Sequence, residues 1–162
     1  RGAASIMPTS PSAPAVIATE AGWALGTVAT IAITAGADGL VGMIDAAPRD
    51  PGVARMGYWV ARHARGRGHA TAALRLVSAW APGAMGLVRM ELLTIVGNTA
   101  SERVAAAAGY RREGLLRAAV LQRGTPRDAH MWSRLPGEGV PIPLGAPPAR
   151  VEEPGHGRPA GA

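Results

Sequence analysis

Hydrophobic residues in the central part of the chain fall into short runs that predict strands. The runs TVATIAI at 27–33 and GLVGMIDAA at 39–47 are separated by TAGAD, whose Gly and Asp favour a turn, so they predict a hairpin. Further strands are predicted at 54–61 and, with the clearest pattern, at 87–96. Two last strands are predicted on either side of Gly124-Thr125-Pro126.

Two other segments have the spacing of helices. From His69 the apolar residues recur three and four positions apart as far as Ala81, and Pro82-Gly83 predicts the end of this helix. A second, Ala-rich helix is predicted between Asn98, a candidate N-cap, and Gly109. The order β-β-β-α-β-α-β-β with short connections predicts an α/β (α+β) fold with a mixed sheet and flanking helices, not a doubly wound sheet.

The two ends of the chain lack such patterns. Residues 1–22 are expected to be irregular, although the part from Ala15 onward could form the tail of a helix. Residues 139–162 are dominated by Pro and Gly, and we expect them to be a disordered tail. The sequence therefore predicts one folded domain over residues 23–138.

Composition narrows the classes of partner. All the basic residues are Arg and the net charge is +6, which favours an anionic partner such as a phosphorylated cofactor, a nucleic acid or an acidic surface. The absence of Cys excludes disulfides, thiolate metal sites and a Cys nucleophile. There is no apolar run of membrane length and no secretory signal, so we expect a cytoplasmic protein with no membrane partner.

The stretch Arg65-Gly66-Arg67-Gly68 lies directly before the first predicted helix. A helix N-terminus carries unpaired N–H groups and a partial positive charge, and glycines before it let a ligand approach the backbone closely. This arrangement favours phosphate binding, although a flexible, solvated turn would have the same composition. It is neither a Walker A loop, because no Lys-Ser/Thr follows, nor the G-x-G-x-x-G dinucleotide fingerprint.

The stretch from Arg65 to Ala70 matches the R/Q-x-x-G-x-G/A motif of the GNAT superfamily of N-acetyltransferases. GYWVARHARGRGHATAAL resembles that family's fourth strand, pyrophosphate loop and third helix. RMELLTIVGNTASERVAAAAGYRREGLLR resembles its next strand, Asn-x-x-Ser element and following helix, and LQRGTPRDAHMWSRL resembles its last hairpin. The resemblance covers about residues 23–138 and is greatest to the ribosomal-protein N-acetyltransferase (Rim-type) branch.

The resemblance implies an enzyme that uses acetyl-CoA and no metal. The cosubstrate would lie at a splay between the strands at 54–61 and 87–96. A primary amine, either a protein N-terminus or a small molecule, would attack the thioester directly. The residues implied for cofactor binding are Trp59, Val60, Arg65, Gly66, Arg67, Gly68, His69, Ala70, Thr71, Asn98 and Ser101.

Catalytic residues are less well marked by the resemblance. Ser101 is a candidate proton donor to the departing thiolate, because the helix that often supplies a Tyr in this family is mostly Ala here. The Glu that precedes Gly-Tyr-Trp in much of the branch is replaced, since Arg55 and Met56 stand there. Glu91 is therefore the candidate general base, with an ion pair to Arg89 as its alternative role, and His63 is a looser candidate.

The family also begins with a strand and two helices that this sequence does not visibly contain. We therefore expect an N-terminally truncated chain, whose incomplete sheet edge favours a homodimer. A weakly active or inactive acyl-CoA-binding module is the alternative to an enzyme. A basic nucleic-acid-binding protein is a third hypothesis, but we expect no nucleic-acid partner, because no basic helix face with interleaved aromatics is present.

Overall fold

The computed structural model describes residues 5–6, 15–19 and 28–138, so the predicted tail at 139–162 lies outside the described residues. The strands are β1 (Ser5–Ile6), β2 (Ala15–Thr19), β3 (Ala29–Thr34), β4 (Leu40–Asp50), β5 (Val53–Val60), β6 (Arg89–Ile95), β7 (Arg111–Gln122) and β8 (Thr125–Arg134). The helices are α1 (His69–Met85) and α2 (Thr99–Ala107), with short 3-10 turns at Gly36–Asp38 and Arg62–Ala64.

The strands form one sheet in the order β1-β2-β3-β4-β5-β6-β8-β7. Within the described residues the pair β5–β6 is parallel and every other pair is antiparallel. The predicted mixed, mostly antiparallel sheet with flanking helices is therefore confirmed. Because α1 connects β5 to β6, the parallel pair has the crossover helix that such pairs require.

The splay predicted between the strands at 54–61 and 87–96, now β5 and β6, is also confirmed. The strands β5 and β6 pair only from Val53 to Met56, opposite Arg89 to Leu92. Beyond Met56 the two strands have no shared ladder, so the edge of β5 that faces β6 is left open over its last residues. This opening is the structural feature on which the candidate site is built.

The front of the chain differs from the prediction. Residues 5–6 and 15–19 are strands, and β2 pairs with β3 from Ala15 opposite Thr34 to Thr19 opposite Thr30. The expected helix tail from Ala15 is therefore wrong, and the expected irregular structure does not hold for these two segments. AVIAT is too short to show a period, but its Val, Ile and Thr favour a strand once β3 offers an edge.

Helix α1 continues past the predicted stop at Pro82-Gly83. It runs to Met85 and ends at Gly86, whose φ of 65° is left-handed and whose N–H donates to the carbonyl of Pro82. A proline inside a helix removes one hydrogen bond. Ala81, immediately before it, is fully buried in the core, so packing holds this turn in place and the end moves to Gly86.

The last hairpin is confirmed, but its turn begins one residue earlier than predicted. Arg123 and Gly124 form the turn, both with positive φ, at 50° and 79°, and β8 begins at Thr125. Positive φ at both central residues is the geometry that suits the twist of a two-residue hairpin. Pro126 consequently lies inside β8, opposite Leu121.

The core lies between the helices and one face of the sheet. Burial alternates along β3, β5 and β6, so that every second side chain faces α1 and α2. The largest fully buried side chains are Ile31, Ile33, Ile44, Met56, Leu74, Met90, Val41, Val77 and Thr94. The opposite face carries polar and charged side chains, including the ion pairs of Arg89 with Glu91 and Glu113.

Glu113 makes the stability of the fold sensitive to acid. Hydrogen bonds from Arg89 and then from Ser133 lower the pKa of Glu113 to about 2, from an ordinary value of 4.5. A folded pKa below the unfolded value stabilises the fold above about pH 4.5, and this contribution is lost as the pH falls toward 2.

We expect Glu113→Gln to lower the free energy of unfolding at neutral pH by less than about 1 kcal/mol, because the pair is partly exposed. Urea denaturation at several pH values should show that the gap between the variant and the wild type closes as the pH falls below 4.5. A gap that is independent of pH would contradict this assignment. Glu138→Gln, which removes a longer ion pair to Arg111, is the matched control.

Candidate active site

A cleft of about 650 Å³ opens where β5 and β6 diverge. Its walls are the end of β5, the loop before α1, the first turn of α1 and the first turn of α2. The structure brings together here all the predicted cofactor residues except Arg67. Those lining the cleft are Trp59, Val60, Arg65, Gly66, Gly68, His69, Ala70, Thr71, Asn98 and Ser101.

The two helices point their N-termini into the same cleft. The N-cap of α1 is Gly68, and no side chain caps that end, so its first-turn N–H groups are left for an external acceptor. The N-cap of α2 is Asn98, whose Oδ1 accepts a hydrogen bond from the N–H of Ser101 at 3.2 Å. The predicted cap is therefore confirmed. Both helix ends carry partial positive charge, and together they favour an anion between them.

The glycines of the loop before α1 are required by the backbone and leave the space above it open. Gly66 has a φ of 76° and Gly68 a φ of 82°, which side chains rarely adopt. A Cβ built on either residue would meet no protein atom within 4 Å. Protein packing therefore does not explain the glycines, and the volume in front of them is free for a ligand that approaches the backbone.

The two arginines of this loop have different surroundings. The Nε of Arg65 donates to the carbonyl of Val60 at 2.9 Å, which keeps the side chain at the rim of the cleft. Arg67 forms an ion pair with Asp38 at 3.2 Å, and both side chains are about half exposed. The structure thus places Arg65 beside the cleft and turns Arg67 away from the residues that line it.

Tyr58 is a cleft residue that the sequence analysis did not single out. Its hydroxyl lies 2.8 Å from the Oγ of Ser101. Burial raises the pKa of Tyr58, and the hydrogen bond with Ser101 opposes that effect only in part, so the phenol is protonated at neutral pH. Its place on the helix-facing side of β5, just beyond the last paired residue Met56, is the sequence signal that could have found it.

Glu91 lies outside the cleft. Its carboxylate accepts hydrogen bonds from Arg89 at 3.0 Å and Arg55 at 3.1 Å. Burial alone would raise the pKa of Glu91, but the two arginines outweigh it and lower the pKa. A carboxylate held this way is a poor proton acceptor, and the structure favours the ion-pair role. His63 is exposed in the 3-10 turn and does not line the cleft either.

His69 has an unusual environment at the mouth of the cleft. Both of its ring nitrogens are shielded from solvent and have no hydrogen-bond partner in the described part of the chain.

Within residues 5–6, 15–19 and 28–138, no group of His, Asp and Glu could hold a metal ion. In the same residues no helix has the length and apolar character needed to cross a membrane.

Removing the cap of α2 should have a measurable effect on stability. We expect Asn98→Ala to lower the free energy of unfolding by about 1 kcal/mol, because the N–H of Ser101 loses its acceptor. Thermal or urea unfolding measures the change. The neighbouring substitution Thr99→Ala is the control and should cost clearly less, so equal losses in the two variants would contradict the capping role.

Comparison with known proteins identifies the family. The model of the acetyltransferase (GNAT) domain matches residues 5–111, more than half of the chain. The uncharacterized N-acetyltransferase YoaA of Bacillus subtilis (strain 168) is 31% identical over 80 residues, which are 49% of this chain and 45% of that protein. The chain therefore spans less than half the length of this curated relative.

Solved structures show the same fold. Ribosomal-protein-S5-alanine acetyltransferase from Vibrio fischeri matches with a TM-score of 0.66 at 20% identity, over 74% of this chain and 68% of that one. Mycobacterium smegmatis RimJ in complex with CoA-disulfide matches with a TM-score of 0.65 at 32% identity, over 72% of this chain and 56% of that one. The chain belongs to the GNAT acetyltransferase family.

Proposed function

We propose that this chain binds acetyl-CoA in the cleft between β5 and β6 and transfers its acetyl group to a primary amine. The observation that carries the proposal is the convergence of two helix N-termini and a glycine loop on one open strand edge, in a chain of the GNAT family. We place the enzyme domain at residues 23–138 and regard β1 and β2 as additional strands of its sheet.

The phosphates of the cosubstrate would bind at the end of α1. The first-turn N–H groups after Gly68 supply donors, and the N-termini of both helices supply positive potential. Arg65 can leave the carbonyl of Val60 and contact a phosphate with little cost, because that hydrogen bond is solvent-exposed. The shielded nitrogens of His69 offer a further polar contact.

The pantetheine arm would lie along the open edge of β5. Beyond Met56 that edge has no ladder with β6, so it can bond an extended amide chain, as an added strand would, once Arg65 leaves the carbonyl of Val60. This arrangement directs the thioester toward the point at which β5 and β6 separate, close to Ser101 on α2.

The transfer itself needs one new bond and one broken bond. The neutral amine nitrogen forms a bond to the thioester carbon, the tetrahedral intermediate collapses, and the carbon–sulfur bond breaks. The thiolate then takes a proton from the hydroxyl of Ser101, which Tyr58 resupplies across their 2.8 Å hydrogen bond. The proton that the nitrogen loses returns to Tyr58 through solvent. The acceptor is a protein N-terminus or a small-molecule amine, and no metal takes part.

An acyl-CoA-binding module with little turnover is the second candidate. It is favoured by the absence of a carboxylate among the described residues that line the cleft, and by the ion pairs of Glu91 with Arg55 and Arg89. The cytoplasmic location and the homodimer expected from the sequence remain predictions.

Release of free CoA distinguishes the two candidates. The full chain is incubated with acetyl-CoA and, separately, a peptide with a free N-terminal Ala, a peptide with a free N-terminal Ser, and putrescine. Amine-dependent release above the rate without protein supports the transferase. Saturable binding of acetyl-CoA without amine-dependent release would leave only the binding module, and loss of both would contradict the proposed function.

A further inference from the structure

The carboxylate of Asp45 stands beside the point where the sheet opens. Asp45 lies on β4, directly opposite Gly57 of β5. The pairing of β5 with β6 ends at Met56, so Gly57 is the first residue of β5 past the last paired one. Asp45 is therefore on the strand adjacent to the apex of the opening, where the proposed thioester would lie.

The missing side chain of Gly57 leaves room for the carboxylate of Asp45. A Cβ on Gly57 would lie 2.9 Å and 3.0 Å from the two carboxylate oxygens of Asp45, so the Asp45 side chain extends over the backbone of Gly57. Any larger residue at this position would push the carboxylate away. The glycine thus leaves room for the Asp45 carboxylate over the backbone of β5, at the first residue past its pairing with β6.

Asp45 also faces the side of the sheet opposite the helices. Its neighbours Ile44 and Ala46 are fully buried in the core, so the alternation of the strand turns Asp45 to the other face. Trp59 is two residues from Gly57 on β5, so its side chain is on that same face of the sheet. Trp59 also lines the cleft. An acceptor that approaches from this face reaches the opening without displacing the cosubstrate that enters along the helix N-termini.

The carboxylate of Asp45 has no hydrogen-bond or ion-pair partner among the described residues, although it is partly buried. Burial raises its pKa above the ordinary value. Arg55 is the charged residue on β5 that lies diagonal to Asp45, and its guanidinium forms an ion pair with Glu91. Across β3 the residue opposite is Thr30, which carries no charge. No described side chain therefore competes with an acceptor amine for the carboxylate of Asp45.

We propose that Asp45 is the catalytic base of the acetyl transfer, an inference that rests on the proposed function. Asp45 removes one proton from the ammonium group of the acceptor, and the neutral nitrogen forms the bond to the acetyl carbon. As the carbon–sulfur bond breaks, the nitrogen gives its second proton to solvent and the thiolate gains one from Ser101, whose proton is restored from solvent through Tyr58. Asp45 returns its proton to solvent, so one proton is released per turnover.

The test compares Asp45→Asn with Asp50→Asn in the full chain. Asp50 lies at the exposed end of the same strand and is the matched control. We measure the binding of acetyl-CoA by calorimetry, and CoA release with the peptides that carry a free N-terminal Ala or Ser. We expect Asp45→Asn to bind acetyl-CoA normally and to lose about 100-fold in kcat/KM, the low end of the effect of a general base.

The dependence on pH separates a base from a structural role. The deficit of Asp45→Asn should shrink by at least about tenfold between pH 6 and pH 9, because a peptide α-amino group with a pKa of about 7.7–8.0 is mostly neutral at pH 9. The variant Asp45→Glu keeps a carboxylate and should retain more activity than Asp45→Asn. Equal activities of these two variants would overturn the inference.

The outcomes separate the two proposals. A wild-type enzyme that turns over while Asp45→Asn stays within a few-fold of it would overturn the role of Asp45 and leave the proposed function intact. A deficit that is the same at all pH values would also overturn it. A folded wild-type chain that releases no CoA with either peptide or with putrescine would overturn both.

Discussion

Replacing Gly68 by Val is expected to weaken the binding of acetyl-CoA by at least about 100-fold, which corresponds to about 2.7 kcal/mol. Gly68 is the N-cap of α1 and borders the cleft. A Cβ there meets no protein atom within 4 Å, so the added side chain projects into the space proposed for the phosphates. Several charge-assisted hydrogen bonds, each worth about 1.5–3 kcal/mol, would be lost together.

The control for this substitution lies at the other end of the same helix. Gly86 is the C-cap of α1, has a φ of 65°, and also has nothing within 4 Å of a built Cβ. Gly86→Val therefore introduces similar backbone strain, of about 1–3 kcal/mol, without touching the cleft. We expect both variants to be destabilised, but only Gly68→Val to lose affinity in calorimetry. Equal affinities for acetyl-CoA would contradict the proposed phosphate site.

Tyr58→Phe is expected to lower kcat by about 100-fold while leaving the affinity for acetyl-CoA within a few-fold of the wild type. The substitution removes only the hydroxyl that lies 2.8 Å from the Oγ of Ser101. Without it, Ser101 has no resupply of the proton that it gives to the thiolate. Ser101→Ala should show a deficit of similar size, and the double variant should be little worse than either single one, because the two groups act in series.

The chain's other tyrosine provides the control for this pair. Tyr110 makes a hydrogen bond of 2.7 Å with Ser78, an equivalent pair of groups within the core. Neither residue lines the cleft. Tyr110→Phe and Ser78→Ala should therefore lower the stability and leave kcat unchanged. If kcat falls equally in the Tyr58 and Tyr110 variants, the loss is one of stability and the proton-donor role is wrong.

Local patterns in the sequence predict the elements whose signals are short-range. The strand at β6, the cap at Asn98 and the glycine loop before α1 each depend on neighbouring residues, and the structure has all three. The resemblance to the family further predicts the splay, which no local pattern indicates. The structure adds that Gly66 and Gly68 have positive φ, a requirement that the sequence analysis did not establish.

What the sequence did not predict depends on partners distant along the chain. Strand β2 forms because β3 offers it an edge, and α1 passes Pro82 because Ala81 packs in the core. The pairing of Tyr58 with Ser101 joins residues that are 43 positions apart. Asp45 becomes a candidate only when the register places it opposite Gly57. Such long-range pairs leave no periodic signal that a single sequence could reveal.

Calorimetric titration of the full chain with acetyl-CoA shows whether the cleft between β5 and β6 binds this cosubstrate. We expect saturable binding of one molecule per chain, with a Kd that rises with salt because phosphates contact the positive helix ends. Such binding should be weakened strongly in Gly68→Val and unchanged in Gly86→Val. A folded chain that takes up no acetyl-CoA, or equal binding in the two variants, would show that this cleft is not the acetyl-CoA site.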